Sequence, residues 1–144
     1  MIDKSSGHLE IGNLTIGPDS TVDQLCEDFD KLGNTWKLDS TGNGRACLWF
    51  GNLIARDLYF SGNIYFDSAA IESIQFVVGR EKQEVDPWKN WTEEREILKA
   101  REMTNWLRGC VGTETKFPWG MVWSGYDARS GGAEIGIRYA RKSA

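Results

Sequence analysis

The stretch TWKLDSTGNGRACLWFGNLIARDLYFSGNIYFDSAAIESIQFVV, residues 35–78, decides the fold of this chain. It is rich in aromatic and β-branched residues, and Gly-Asn and Asp-Ser pairs interrupt it at short intervals. Such a pattern is typical of strands that are joined by tight turns. We therefore predict strands at residues 35–38, 46–54, 58–66 and 71–78, with a hairpin turn at residues 67–70. Because the loops are short, consecutive strands should pair antiparallel.

A helix is predicted on the amino-terminal side of this block. Thr21 and Gln24 have the spacing of a capping box, and Gly33 is a suitable terminator. The apolar residues between them follow a helical period: Val22, Leu25, Cys26, Phe29 and Leu32. Before this helix, residues 8–16 alternate between apolar and polar residues but change phase at Gly12-Asn13. A bulge or a tight turn would produce that change, so we predict a broken first strand.

A second, longer helix is predicted on the carboxyl-terminal side. Asp86 and Pro87 are typical of an N-cap and a first helical residue, and the segment continues to Gly109 without a breaker. Its core-facing stripe would be Ala100, Met103, Trp106, Leu107 and Cys110, while Trp91 and Leu98 would fall on a separate strip. Strands at residues 117–126 and 134–139 would then form a final hairpin. The alternation of Ile135, Ile137 and Tyr139 supports the last strand.

Together these elements predict an α+β fold that forms a single globular domain over residues 1–144. Its order would be β-α-β-β-β-β-α-β-β, with one curved antiparallel sheet of about six to seven strands. Both α-helices would pack against that sheet. The length suffices for a core without metal or disulfide support.

The composition favours a binding function over catalysis. The chain has seven tryptophans and a single histidine, His8, and its three cysteines are scattered without a Cys-x-x-Cys spacing. Zinc ligation is therefore excluded in practice. Residues 42–47 begin like a dinucleotide fingerprint but lack its third glycine, so we expect no cofactor. Tryptophan, by contrast, suits cores and protein interfaces.

The charge distribution points to a basic protein partner. The net charge is −4, and residues 1–72 hold eleven acids against five bases, whereas residues 73–144 hold ten acids against twelve bases. An acidic protein repels phosphate backbones, so we expect no nucleic-acid ligand. No apolar run is long enough for a membrane span, and the start lacks the apolar core of a signal peptide. These features predict a cytoplasmic protein without a membrane partner.

A resemblance adds to this interpretation. The motifs that carry it are WKNWTEERE at 88–96, Trp106-Leu107, FPWG at 117–120, SGYDARSGG at 124–132 and IGIRY at 135–139, together with residues 11–29. They resemble a group of small bacterial proteins of unassigned biochemistry. In size, acidity and lack of an active site this group is similar to immunity proteins of contact-dependent inhibition and other polymorphic toxin systems. The resemblance implies a non-enzymatic protein that occludes a cognate toxin domain.

A toxin that cuts nucleic acid has a basic cleft, which an acidic inhibitor can cover. The candidate partner-binding residues are Asp23, Glu27, Asp28 and Asp30 on the first helix and Trp88, Trp91, Glu93 and Glu94 on the second. Arg95, Lys99 and Arg101 alternate with the glutamates, so a solvated helix face remains open as well. Three other functions remain open: a small-molecule or peptide-binding module, a secretion chaperone or oligomeric scaffold, and an enzyme whose carboxylates meet in a cleft. The oligomeric state is not predicted.

Overall fold

The computed structural model of this chain describes residues 1–83 and 88–141. Within these ranges the helices are α1 (Val22–Leu32) and α2 (Glu93–Val111). The strands are β1 (Leu9–Ile11), β2 (Leu14–Ile16), β3 (Thr35–Gly42), β4 (Arg45–Ala55), β5 (Leu58–Asp67), β6 (Ala70–Gly79), β7 (Lys116–Phe117), β8 (Gly120–Asp127) and β9 (Gly132–Tyr139).

Seven strands form one antiparallel sheet in the order β3-β4-β5-β6-β9-β8-β7. The sheet is open, with β3 and β7 at its edges. The predicted α+β fold is therefore confirmed, and β3 to β6 are the four strands predicted between residues 35 and 78. One difference is the length of β3, which does not end at Leu38 because its pairing with β4 continues to Gly42 and Arg45.

The amino-terminal strands form a hairpin of their own rather than one broken strand. β1 pairs with β2 from Leu9 opposite Ile16 to Ile11 opposite Leu14, and Gly12 at the turn has a φ of 62°. All four of these apolar side chains are buried. Of the two structures predicted for Gly12-Asn13, the tight turn is confirmed and the bulge is wrong. The physical reason is that a complete turn, and not a local kink, lets both short strands direct their apolar residues to the core.

The first helix is confirmed at both ends. Thr21 Oγ1 accepts a hydrogen bond from the Gln24 backbone N–H at 3.2 Å, which is the N-cap that the sequence predicts. Gly33 has a φ of 71°, and its N–H donates to the carbonyls of Phe29 and Asp30. This left-handed conformation suits glycine and ends the helix.

The second helix starts later than predicted. Thr92 is its N-cap and accepts from the Arg95 N–H at 3.1 Å, while Asp86 and Pro87 lie outside the described residues. Trp91 therefore precedes the helix, and its predicted place on a helical strip with Leu98 is wrong. The core stripe is confirmed in its main members, since Ala100, Met103 and Leu107 are buried, and the helix extends to Val111.

Both helices cover the same face of the sheet. Phe50, Gly62 and Phe76 pair across β4, β5 and β6, so they lie on one face. Phe29 of α1 stacks on Phe50 with ring centroids 5.6 Å apart, and Trp106 of α2 meets Phe76 edge to face at 5.9 Å. The β1-β2 hairpin contributes to the same buried cluster.

The opposite face of the sheet carries no helix among the described residues, and we call it the open face. Neither α1 nor α2 combines the length and the apolar composition that a membrane crossing requires.

Candidate functional site

The acids predicted on α1 differ in the contacts that they make. They are Asp23, Glu27, Asp28 and Asp30. Asp28 Oδ1 accepts from Gln24 Nε2 at 2.9 Å, and Glu27 forms an ion pair with Lys31 at 3.2 Å. Asp30 Oδ1 accepts from the indole N–H of Trp36 at 2.8 Å, which joins α1 to β3. These acids remain accessible to a partner, but Asp30 also has a structural role.

Trp88 and Trp91 pack together on the turn between β8 and β9. Their ring centroids are 6.0 Å apart, and the Trp91 indole N–H donates to the Gly131 carbonyl at 2.6 Å. A Cβ atom on Gly131 would lie 3.4 Å from both tryptophans, which is ordinary contact, and the φ of 71° is what favours glycine at this position. Trp88 is still 63% exposed and Trp91 37% exposed. We call these two tryptophans and the turn residues 127–131 the tryptophan rim.

Glu93 and Glu94 begin α2 directly beside the tryptophan rim. Glu93 Oε2 accepts from the Tyr126 hydroxyl at 3.1 Å, and Glu94 is exposed. Desolvation, and after it the hydrogen bond to Glu93 and the charge of that carboxylate, raise the pKa of Tyr126. The rim therefore presents aromatic surface beside the acids Glu93, Glu94 and Asp127, and it also carries the exposed base Arg129.

The predicted residues form two groups rather than one. α1 packs on the β3 side of the sheet, whereas α2 contacts β6, β8 and β9. β3 and β9 are separated by four strand spacings, or about 19 Å at ~4.8 Å for each spacing. The structure thus brings Trp88, Trp91, Glu93 and Glu94 together, and it places the acids of α1 elsewhere.

A cleft on the open face was not among the predicted sites. Its volume is about 600 Å³, and it is lined by residues of β3 to β6 and β9 and by Gln83. The indole of Trp49 forms one wall and is 38% exposed, and it lies over Gly51, where a Cβ atom would come within 2.7 Å of the ring. The size falls within the range of small-ligand pockets, about 300 to 1,000 Å³, but the cleft is an open groove on the sheet and not an enclosed cavity.

A hydrogen-bonded corner fixes the β4-β5 side of this cleft. Asn52 has a φ of 47° at the register shift in β4, and its N–H donates to Ser61 Oγ at 2.7 Å. Its side-chain oxygen accepts from the Gln83 N–H at 2.9 Å, which ties the segment after β6 to the corner. Hydrogen bonds among β4, β5 and the segment after β6 thus hold Asn52 in its strained backbone conformation.

Glu134 is the one charged side chain among the described residues that line the cleft. It lies on β9 next to Trp123, whose six-membered ring covers the backbone of Gly136. Burial, and secondarily the carboxylate of Asp127, raise the pKa of Glu134, and a hydrogen bond from Trp123 partly offsets the rise. A half-buried carboxylate of this kind is a common component of binding and active sites.

The sequence signal for the cleft was weak because polar residues at alternate strand positions are typical of any solvated sheet face. Asn63, Gln75 and Glu134 belong to three strands, and only the pairing of β6 with β9 brings them together. The one sequence signal that pointed to this face was Trp49. It lies between Leu48 and Phe50 in the strand, so its side chain is directed to the face opposite theirs.

The thiols and the metal-ligating side chains of the described residues are the remaining candidates for nucleophilic or metal chemistry. Among the described residues no group of three or more His, Cys, Asp or Glu side chains could hold a metal ion. Cys26, Cys47 and Cys110 are free thiols. Burial raises the pKa of Cys26 and of Cys47, which is the opposite of what activates a thiol nucleophile.

Comparison of the chain with protein-family models, with curated proteins and with solved structures finds no match.

Proposed function

We propose that this protein is a non-enzymatic immunity protein that binds a cognate toxin domain in the cytoplasm and covers its basic active-site cleft. The observation that carries the proposal is the exposed tryptophan pair, which is held in place on the β8-β9 turn beside the acids that begin α2. Tryptophan residues are enriched at the centres of protein interfaces. The resemblance described above supports the same class of function.

The geometry of the tryptophan rim supports a role as an anchor. The hydrogen bond from Trp91 to Gly131 orders the pair before any partner arrives. Preordered aromatic side chains lose little conformational entropy on binding, so more of the contact energy becomes affinity. The exposed fraction of Trp88 leaves a large apolar area for a partner to bury.

The charges near the rim support the choice of a basic partner. Glu93 and Glu94 lie on one side of the rim, and Asp127 lies within it together with one base, Arg129, so the acids outnumber the bases of the rim. Acids around an aromatic anchor accelerate encounter with a basic surface, and the anchor then slows dissociation. The acids of α1 would extend the attractive field without forming part of the anchor.

The direct test uses the reading frame immediately upstream of this gene. Its carboxyl-terminal domain is produced with and without this protein, and cell growth and complex formation by isothermal titration calorimetry are measured. We expect toxicity without this protein, protection with it, and an equimolar complex. An upstream product that is harmless, or that this protein neither binds nor neutralises, would contradict the proposal.

Variants then locate the interface. Trp88→Ala and Trp91→Ala should each weaken the complex at least about 30-fold, as expected for an anchor worth about 2 kcal/mol. Asp23→Lys with Glu27→Lys should mainly slow association. Glu102→Lys, an exposed position farther along α2, is the matched control. If only the α1 reversal abolished binding, the interface would belong to the helix and not to the rim.

The cleft on the open face favours a second candidate function, a peptide-binding module. Its volume of about 600 Å³ meets the size that such a function requires.

A further inference from the structure

The cleft and the tryptophan rim are neighbouring parts of one end of β9. Gly131 supports the two tryptophans, while Ala133 and Glu134 line the cleft. A partner seated on the rim would therefore have the cleft within reach of a short segment of its chain.

The lining of the cleft selects among ligand chemistries. Among the described residues that line it, the polar side chains other than Glu134 are uncharged amides and hydroxyls: Thr35, Asn52, Ser61, Asn63, Gln75 and Gln83. Such groups donate to and accept from peptide backbone. Glu134 is the one charged side chain among the described residues that line the cleft, so an anionic ligand would meet repulsion without compensation.

Glu134 forms no ion pair with another described residue. It is nevertheless half-buried, and its pKa is raised by burial. Burying a carboxylate is costly unless a cation or several hydrogen bonds compensate it. A ligand with a positive group would supply that compensation, and the indole face of Trp49, which lines the cleft, is a favourable surface for such a group.

We propose that the open-face cleft binds an extended peptide segment that carries one arginine side chain, with Glu134 as the counter-ion and Trp49 as the apolar wall. The inference deepens the function proposed above and rests on it for its biological role, since the segment would belong to the basic partner. Its test, however, needs no toxin. If the protein binds the peptide but neutralises no toxin, the assignment of the cleft is retained and the proposed function is lost. If it neutralises a toxin but does not bind the peptide, only the assignment of the cleft is lost.

The experiment compares acetyl-Gly-Arg-Gly-amide with the same peptide containing citrulline, which keeps the shape of arginine and removes its charge. Each peptide is titrated into the ¹⁵N-labelled protein at low salt, and chemical shifts are followed. We expect the indole N–H signals of Trp49 and Trp123 to shift and that of Trp88 to remain. The arginine peptide should bind at least about tenfold more tightly, because a charge-assisted contact is lost with citrulline.

Two matched variants complete the test. Glu134→Gln should remove the preference for arginine, while Glu102→Gln on the exposed side of α2 should retain it. The comparison of the two peptides uses the unchanged protein, so the inference stays testable even if Glu134→Gln folds poorly. Equal binding of both peptides, no binding of either, or shifts confined to Trp88 and Trp91 would overturn it.

Discussion

Replacing Gly136 with alanine would test how β9 supports the open-face site. Gly136 is buried on β9 opposite Trp123 of β8, and a Cβ atom there would overlap the six-membered ring of the indole. The backbone of Gly136 is not in the left-handed region, so alanine itself is conformationally acceptable. Any loss of stability would therefore come from displacing Trp123.

The magnitude follows from two opposing effects. Glycine to alanine at a compatible position stabilises a protein by about 0.4 to 1 kcal/mol through the unfolded state. Adding a carbon where a side chain already packs costs about 1 to 3 kcal/mol. Since the overlap here involves the rigid ring and not a flexible end, we expect a net loss of about 1 to 2 kcal/mol. For a chain of this length that corresponds to a melting temperature lower by about 2 to 8 °C.

Urea denaturation followed by far-ultraviolet circular dichroism measures the free energy of unfolding without relying on tryptophan emission. The matched control is Gly79→Ala at the end of β6, because a Cβ atom there meets nothing within 4 Å. We expect the control to be as stable as the parent protein or slightly more stable. If Gly136→Ala behaved like Gly79→Ala, the packing of Trp123 on the strand would be refuted as a source of stability.

Two further predictions follow from buried groups. Tyr139→Phe should lower the free energy of unfolding by about 1 to 3 kcal/mol in urea titrations, because the Tyr139 hydroxyl donates to the buried Gly7 carbonyl at 2.7 Å and the carbonyl would lose its partner. Burial raises the pKa of Tyr139, so the parent protein should lose stability above the unfolded tyrosine pKa of about 10. Tyr139→Phe should lose less stability over the same pH range. Parallel curves of unfolding free energy against pH for the two proteins would contradict this. Glu134→Gln should raise the melting temperature at pH 7 and change it little below pH ~4. Burial, and after it the carboxylate of Asp127, raise the pKa of Glu134 in the folded protein. The ionisation of Glu134 therefore costs stability as the pH rises, and glutamine avoids that cost. A lower melting temperature of Glu134→Gln at pH 7 would refute that assignment.

Local signals in the sequence determined much of the fold. The Thr21 cap, the helical apolar period and Gly33 placed α1 correctly, and the turn residues around 67–70 separated β5 from β6. These signals act over a few residues, so they do not depend on the rest of the chain. The start of α2 was wrong because Asp86 and Thr92 are both good N-caps, and the sequence alone gives no way to choose between them.

Exposure and the assembly of the site depended on tertiary structure. The sequence contains seven tryptophans, but only packing separates Trp106, which meets Phe60 and Phe76, from the exposed Trp88. Likewise, the cleft exists because β9 pairs with β6 after an intervening helix, which places Glu134 beside residues that are nearly 60 positions away in the chain. Strand order is set by long-range burial and not by local propensity. For this reason the sequence by itself determined most of the elements of this protein and the sign of its charge, and the tertiary structure alone decided which residues share a surface.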